Sequence, residues 1–352
     1  MTPDAPEKST TTDPRFDRQV RFAPLGAAGQ ERLQAARVLL VGSGALGGVL
    51  AQTLVRAGVG TLVLCDRDVV ELSNLPRQVL FEERHAKAQT PKALAAQAAL
   101  VRIGGPSTVE AHAVHVEATN LADLAQGADL ILDGTDNLTT RYLINDHAVK
   151  TGTPWVYGGV VSSGGLVLPV LPGKGACLRC VFPDPPPPGS LPTCDSAGVI
   201  LPAVGAIASL QAGAALRILS GDTDFTPRMT QLDVWSGALL TLEAPRRADC
   251  PACGQRSFEF LDAPAAREPV VFCGRNAVQI SPQASAGQAR PDFAALAARL
   301  APLADEVQEL GVMLRAKVEG ATLTLFPDGR ALVEGTTEID RARALYDRYL
   351  GS

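Results

Sequence analysis

Short apolar runs alternate with stretches of helical period through the first half of the chain. "RVLLV" (37–41), "TLVLC" (61–65), "TVEAHA" (108–113), "ADLILD" (128–133) and "PWVYGG" (154–159) read as strands. "GQERLQAA" reads as a short helix before the first of them. Between the strands lie a small-residue helical pattern after Gly47, a helix from Pro91 with proline in its first turn, a helix around "NLADLAQG", and "LTTRYLINDHAVKTG". Strands alternating with helices predict an α/β fold, a doubly wound, Rossmann-like and mostly parallel sheet. Past Gly158 the pattern changes to "SSGGLVLPVLP", "MTQLDVW" and "ALLTLEA", which read as antiparallel additions. Between these strands, "FPDPPPPGSLPTCDS" (182–196) is a proline-rich loop expected to be mobile.

From about Arg267 a second pattern begins. It reads as a strand "PVVFCGRNAVQI", a helix "DFAALAARLAPLA", a strand "ELGVMLRAKV", a hairpin "ATLTLFPDGRALVEG" turning at Asp328-Gly329, and a last helix "EIDRARALYDRYL". The expected organisation is a disordered leader over 1–14, a main domain over 15–262, and a small C-terminal α+β module over 267–352.

Composition adds exclusions. The chain has 352 residues, 46% hydrophobic and 20% charged, which is enough to bury a sizeable core. A net charge of −5 without a basic run argues against a nucleic-acid surface. The leader lacks an apolar signal region, and the apolar segment 197–219 is interrupted by Ser209, Gln211 and Arg217, so no membrane association and a cytoplasmic location are expected.

The first strand runs into Gly42-Ser43-Gly44-Ala45-Leu46-Gly47 and then a helix, the arrangement that lays a phosphate against backbone N–H groups. The alternative is a tight turn with no ligand. Asp66 ends the next strand about twenty residues on, where a carboxylate reaches ribose hydroxyls. These features do not separate NAD from ATP. Asn74, Arg77 and Lys92 follow outside a strand's carboxyl end, where ligands bind in such sheets. Arg15, Arg18 and Arg21 stand upstream; cations converging on a glycine turn suit a triphosphate better than a nicotinamide, although any one of them alone reads as a solvated charge. There is no Walker motif, which excludes a P-loop site.

Seven cysteines, an odd number, do not make a secreted disulfide framework. Cys177 with Cys180 and Cys250 with Cys253 form two CxxC turns, which together supply a tetrahedral thiolate set suited to a structural Zn²⁺. A redox CxxC and unrelated surface cysteines are the alternatives. Cys65, at the end of an apolar strand, reads as a small buried hydrophobe. His112 and His115, on opposite faces of a strand, do not make a metal pair.

The ordered set "RFDRQVRF", "GSGALG", "CDRDVVELSNLPRQ", "TPK", "DGTDN", two CxxC pairs and "CDSAGVILPAVGAIASLQA" resembles the ThiF/MoeB/HesA family. These are adenylating enzymes of thiamin and molybdopterin biosynthesis, related to the ubiquitin-activating enzymes. The resemblance runs from about Asp13 to Phe260. It implies ATP and Mg²⁺ at a site with Gly42, Gly44 and Gly47 against the nucleotide, Asp66 on the ribose with Asp68 and Asn74 nearby, and Arg77 and Lys92 on the phosphates. Asp136, in "DGTDN", matches the family's essential acidic residue near the magnesium, although Thr135, Asp136 and Asn137 would each also serve as a helix cap. Arg18 matches an arginine that enters the partner's ATP site in a homodimer.

The implied reaction is adenylation of the C-terminal glycine of a ubiquitin-fold sulfur-carrier protein ending in Gly-Gly, with a sulfurtransferase as a further partner. That carboxyl has a pKa of about 3.3–3.7, so it attacks already ionised and needs no general base. Cys194 stands where some relatives place a reactive cysteine, and a covalent role and a bystander position are both open. The C-terminal module departs from the rhodanese fusion known in this family. Its cysteine, Cys273, lies in "FCGRN" without the rhodanese loop, so sulfur transfer by this module is not expected. Adenylation of a peptide or a tRNA-linked carboxylate, an NAD-linked oxidoreductase and a non-catalytic scaffold are the competing readings.

Overall fold

Alternate residues of the apolar pentapeptides are buried on opposite faces of one sheet, which is why these strands read as continuous hydrophobic runs. In the computed structural model, which describes residues 13–186, 190, 194–262, 270–272, 276–280, 291–310, 313–327 and 329–351, β1 (Arg37–Val41) sends Val38 and Leu40 into one core. Leu39 and Val41 enter another. The remaining strands of this sheet are β2 (Thr61–Cys65), β3 (Thr108–His112), β4 (Leu130–Asp133), β5 (Trp155–Val161), β6 (Gly164–Val170), β7 (Met229–Asp233) and β8 (Ala238–Leu242), in the order β3-β2-β1-β4-β5-β6-β7-β8. The first five strands are parallel and β6 to β8 are antiparallel, as the change of pattern past Gly158 implied.

The crossovers are helices Ala45–Ala57, Lys92–Ile103 and Leu138–Thr151. The first two cover one face with helix Leu201–Leu219, and the third covers the other. Leu201–Leu219 is long and apolar enough to cross a membrane by length and composition alone. Here it is a core helix: Val204, Ile207, Ala208 and Ala215 are fully buried in the first core, and Gln211 donates from Nε2 to Asp133 O at 2.9 Å. The order 3-2-1-4-5 places a switch point between β1 and β4, where neighbouring crossovers leave opposite faces and a crevice opens at the strands' carboxyl ends.

The chain divides into two units, the second made of the residues from 264 onward together with Ala113–His115. The second holds a six-stranded antiparallel sheet, with β9 (Val270–Phe272), β10 (Ala277–Ile280), β11 (Glu306–Glu309), β12 (Leu314–Val318), β13 (Ala321–Leu325) and β14 (Ala331–Glu334) in the order β11-β12-β13-β14-β10-β9. Helices Phe293–Leu300 and Ile339–Tyr349 pack on its core. Two expectations are corrected here. "PVVFCGRNAVQI" is two antiparallel strands, with Asn276 at φ 47° entering the second, and "ELGVMLRAKV" is not one strand, because β12 begins at Leu314 and pairs back on β11. The hairpin over 321–335 forms as read, with Gly329 at φ 81°; Asp328 lies outside the described residues.

Of the leader, residues 1–12 lie outside the described residues. Asp13 and Pro14 are ordered: Asp13 caps a 3-10 turn over Pro14–Phe16 by accepting from Arg15 N at 2.9 Å. His115 lies past the end of β3, so only His112 is a strand residue. Cys273 and much of the proline-rich loop, including residues 187–189 and 191–193, lie outside the described residues.

Candidate nucleotide site and metal centre

Two loops meet at the carboxyl edge of the sheet through bare backbone. Gly42 leaves β1 at φ 89°, a left-handed conformation that side chains resist. Gly134 leaves β4 and lies so close that a Cβ on it would fall 2.5 Å from Gly42 O and 2.9 Å from Gly47 Cα. The helix that begins at Ala45, with Gly44 as its N-cap, therefore approaches both strands at van der Waals limits. Its first N–H groups are left for a ligand. Gly134 was not singled out in the sequence; its signal was its place after a strand-terminal aspartate.

Asp66 braces this turn. Its Oδ2 accepts from Ser43 N at 2.7 Å and Ser43 Oγ at 3.0 Å, and its Oδ1 accepts from Asp68 N at 2.8 Å. Burial pushes the Asp66 carboxyl above the usual carboxylate range, with Lys92 opposing and Asp68 adding to the shift. Lys92 is 5% exposed and opens the Lys92–Ile103 helix behind Pro91, its N-cap; its Nζ lies 3.0 Å from Asp68 Oδ2. A buried ammonium beside carboxylates is a compact point charge of the kind that binds phosphate.

Asn74 has a local task, accepting from Glu71 N at 3.2 Å to close the 3-10 turn Leu72–Asn74. Arg77 donates to Ser73 O at 2.8 Å. Gln78, also missed in the sequence, is buried beside Gly44, and its Oε1 has no hydrogen-bond partner among the described residues.

Asp136 is exposed on the loop after β4 and makes no hydrogen bond or ion pair among the described residues. It is not the helix cap. Asn137 fills that place, accepting from Thr140 N at 3.0 Å, while Thr135 donates to Asp133. A free carboxylate at the mouth of a phosphate site fits a divalent cation. Beneath it, Asp133 is fully buried and pairs with Arg141 at 2.8 Å. Burial raises the Asp133 carboxyl and the arginine opposes the rise.

Arg18 is exposed on a single turn, Asp17–Val20, without a hydrogen-bond or ion-pair partner among the described residues. Its segment is fixed by buried Phe16 and by Gln19, which donates to Gln30 Oε1 at 2.6 Å and Ala57 O at 2.8 Å. Cys194 opens a short turn, Cys194–Ala197; its side chain lies outside the described residues.

The four CxxC cysteines converge. Sγ separations are 3.9 Å for Cys177–Cys180, 3.5 Å for Cys177–Cys250 and 3.3 Å for Cys180–Cys253, and all four sulfurs lie within 4.8 Å of one another. A disulfide would be about 2.05 Å, whereas a tetrahedron with metal–sulfur bonds of about 2.3 Å has edges of about 3.8 Å. Burial, and next the neighbouring thiols, push Cys177 up; Cys180 is pushed up to about 11, chiefly by burial. A cation reverses that penalty by binding the thiolates, and four sulfur donors suit zinc. The cluster ties the start of Leu178–Val181 to the segment after β8.

The ThiF family profile matches residues 16–252. A protein of Bacillus subtilis named sulfur carrier protein ThiS adenylyltransferase is 40% identical over 96% of this chain and 99% of its own length. One from Thermus thermophilus named sulfur carrier protein adenylyltransferase is 40% identical over 74% of this chain and 96% of its own. The crystal structure of E. coli MccB with ATP superposes with a TM-score of 0.59 over 69% of this chain and 75% of that one; at 20% identity this likeness concerns the fold alone.

Proposed function

The chain belongs to the ThiF family, and on that premise we propose that it is an ATP-dependent adenylyltransferase acting on a sulfur-carrier protein. The carrier's C-terminal glycine carboxylate attacks the α-phosphate of ATP, pyrophosphate leaves, and a carrier acyl-adenylate remains. One observation carries the reading. The turn at Gly42, Gly44 and Gly47, the Asp66 brace, buried Lys92 and exposed Asp136 all follow strands β1, β2 and β4 at one edge of the parallel sheet.

In this reading the N–H groups of the Ala45–Ala57 helix and Lys92 hold phosphate oxygens, Arg77 turns from Ser73 O to the phosphates, and Asp66 reaches the ribose from beside Ser43. Gln78 Oε1, buried and without a hydrogen-bond partner among the described residues, is placed to accept from the nucleotide. The attacking carboxylate is ionised at neutral pH, so no residue removes a proton. The protein's task is to align the two reactants and offset charge. Mg²⁺, when bound, neutralises the phosphates, and Asp136 is the residue here that would hold it. Cys177, Cys180, Cys250 and Cys253 would hold a structural zinc, with no open position for chemistry. Such a thiolate set calls for a reducing compartment, and the cytoplasm is proposed.

ATP–pyrophosphate exchange tests the proposal. Exchange is expected only when a ubiquitin-fold protein ending in Gly-Gly is added. Exchange with a short peptide, or none with any such carrier, overturns it. Asp136→Ala is expected to lower exchange at least about 100-fold with unchanged thermal stability, because the side chain supports no packing. Full exchange by that variant removes Asp136 from the mechanism.

A further inference from the structure

The loop that carries Asp136 is held by a buried ion pair whose presence stability alone does not explain. Asp133 ends β4 with a side chain 0% exposed, and Arg141, one turn into the Leu138–Thr151 helix, has a side chain 9% exposed. Taking two charges out of water costs several kcal/mol per ion, and a well-packed apolar pair of similar volume would be neutral or more stable. What an apolar pair lacks is a planar fork of donors at fixed angles.

Arg141 uses that fork on three elements. Nε donates to Asp133 Oδ2 at 2.8 Å, and one terminal nitrogen donates both to Thr135 O at 2.5 Å and to Gly158 O in β5 at 2.9 Å. The guanidinium also lies 5.0 Å from the centre of the Tyr157 ring. The other oxygen of Asp133 accepts from Thr135 N at 2.9 Å and Thr135 Oγ1 at 2.8 Å. The Thr135 carbonyl belongs to the peptide group that enters Asp136, so holding it sets the plane of that group and with it the N–Cα bond from which the Asp136 side chain departs. Gly134, one residue earlier, is packed against Gly42 and Gly47. The loop is thus located against the glycine turn on one side and oriented by the arginine on the other.

We infer that Arg141 is a positioning residue for adenylation. Through Asp133 and the Thr135 carbonyl it aims the Asp136 carboxylate at the nucleotide held on the glycine turn. This rests on the adenylation reading and on the part it gives Asp136. An arginine in the first turns of a helix resembles an ordinary surface charge, which is why the sequence alone does not disclose it.

The test is a kinetic cycle on full-length protein with ATP, Mg²⁺ and carrier. Absence of exchange by the unaltered enzyme overturns the adenylation reading and this inference with it. Given exchange, Arg141→Lys keeps the charge but loses the fork, and kcat is expected to fall roughly 10- to 100-fold, the scale of a catalytic group displaced by about 1 Å. KM for ATP should stay within about twofold, since the phosphate-holding groups lie on other loops. In an Asp136→Asn background the same substitution should change the single-turnover rate less than about threefold, because the group it acts through is already gone. An equal fall in both backgrounds, or full kcat in Arg141→Lys, overturns the inference alone. Should Arg141→Lys not fold, Thr135→Val decides by the same cycle: it removes one hydroxyl from Asp133 and leaves the ion pair, and equal losses in both backgrounds overturn the inference.

Discussion

A Cβ built on Gly47 would stand 1.9 Å from the carbonyl oxygen of Gly42. No rotamer relieves an overlap with backbone, so either the Ala45–Ala57 helix retreats from β1 or the Gly42 peptide turns. Either movement displaces the N–H groups offered to phosphate. Gly47→Ala is expected to cost about 1–3 kcal/mol of stability and to weaken ATP binding at least about tenfold. Gly48 is the control. Its Cβ would meet Leu80 at an ordinary 3.6 Å, so Gly48→Ala should gain up to about 1 kcal/mol of helix propensity. Thermal unfolding and ATP titration of both variants check the contrast, and tolerance at Gly47 would refute the close approach.

That contact also shows how far the sequence could be read. The glycine turn and the strand ends were legible because each depends on residues near in sequence: a φ only glycine holds easily, a helix start, a run of apolar residues. The CxxC pairs were legible because paired spacing is itself the signal, even across 73 residues. Asp133–Arg141 was not, since an arginine eight residues after a strand looks like any helix-surface charge until the fold buries it. Gln211 was hidden similarly, as an apparent break in an apolar helix rather than the donor to Asp133 O. The C-terminal strands failed for another reason. Apolar residues flank "CGRN" on both sides, and period alone does not separate one long strand from a hairpin.

The four sulfurs carry a metal prediction. Purified protein should hold one Zn²⁺ per chain, and Cys250→Ser should lose it, because three thiolates and a hydroxyl bind far more weakly. Metal binding here is folding energy: the two CxxC turns lie in separate stretches that the cluster joins. Losing several kcal/mol, at about 2 °C each in a unit of about 250 residues, should lower Tm by roughly 5–10 °C. Adenylation per folded molecule should hold at a temperature well below that transition. Zinc retained after all four cysteines become serine would show that the metal sits elsewhere.

Asp146 gives a pH signature independent of the nucleotide site. Its side chain is fully buried, Oδ2 accepts from Phe260 N at 3.0 Å, and Oδ1 has no hydrogen-bond partner among the described residues. Burial pushes its carboxyl up to about 6 from an ordinary 3.8, against the opposing Phe260 N–H and Arg179, while Glu259 adds to the rise. The folded state therefore holds this proton more tightly than the unfolded chain. The stabilisation is complete below pH about 4 and is lost as pH rises through about 6, amounting to at most about 3 kcal/mol. Asp146→Asn keeps an acceptor for Phe260 N and needs no proton. It should remove that slope between pH 4 and 6 and be the more stable protein above pH 7. Urea midpoints across that range decide the matter, and parallel profiles for the two proteins would contradict it.

Arg18 and Asp136 share a property that suggests a composite site. Each is exposed and makes no hydrogen bond or ion pair among the described residues, although the segment carrying Arg18 is firmly anchored by Phe16 and Gln19. An anchored backbone that presents a free guanidinium suits an anion arriving from outside the chain. We propose a homodimer in which Arg18 of one protomer reaches the phosphates bound by the other. Arg18→Ala and Asp136→Ala should each be inactive alone. Mixed after reversible dissociation, they form heterodimers in which one site carries both lesions and the other carries neither, because the arginine and the aspartate of a given site come from different chains. With equal amounts and random pairing, half the dimers are mixed and half of their sites are intact, so recovery should approach about a quarter of the unaltered activity. If Arg18 served its own protomer's site, every site in the mixture would still lack one residue. A mixture no better than its parents, or a monomer that adenylates at full rate, would therefore end the composite-site proposal.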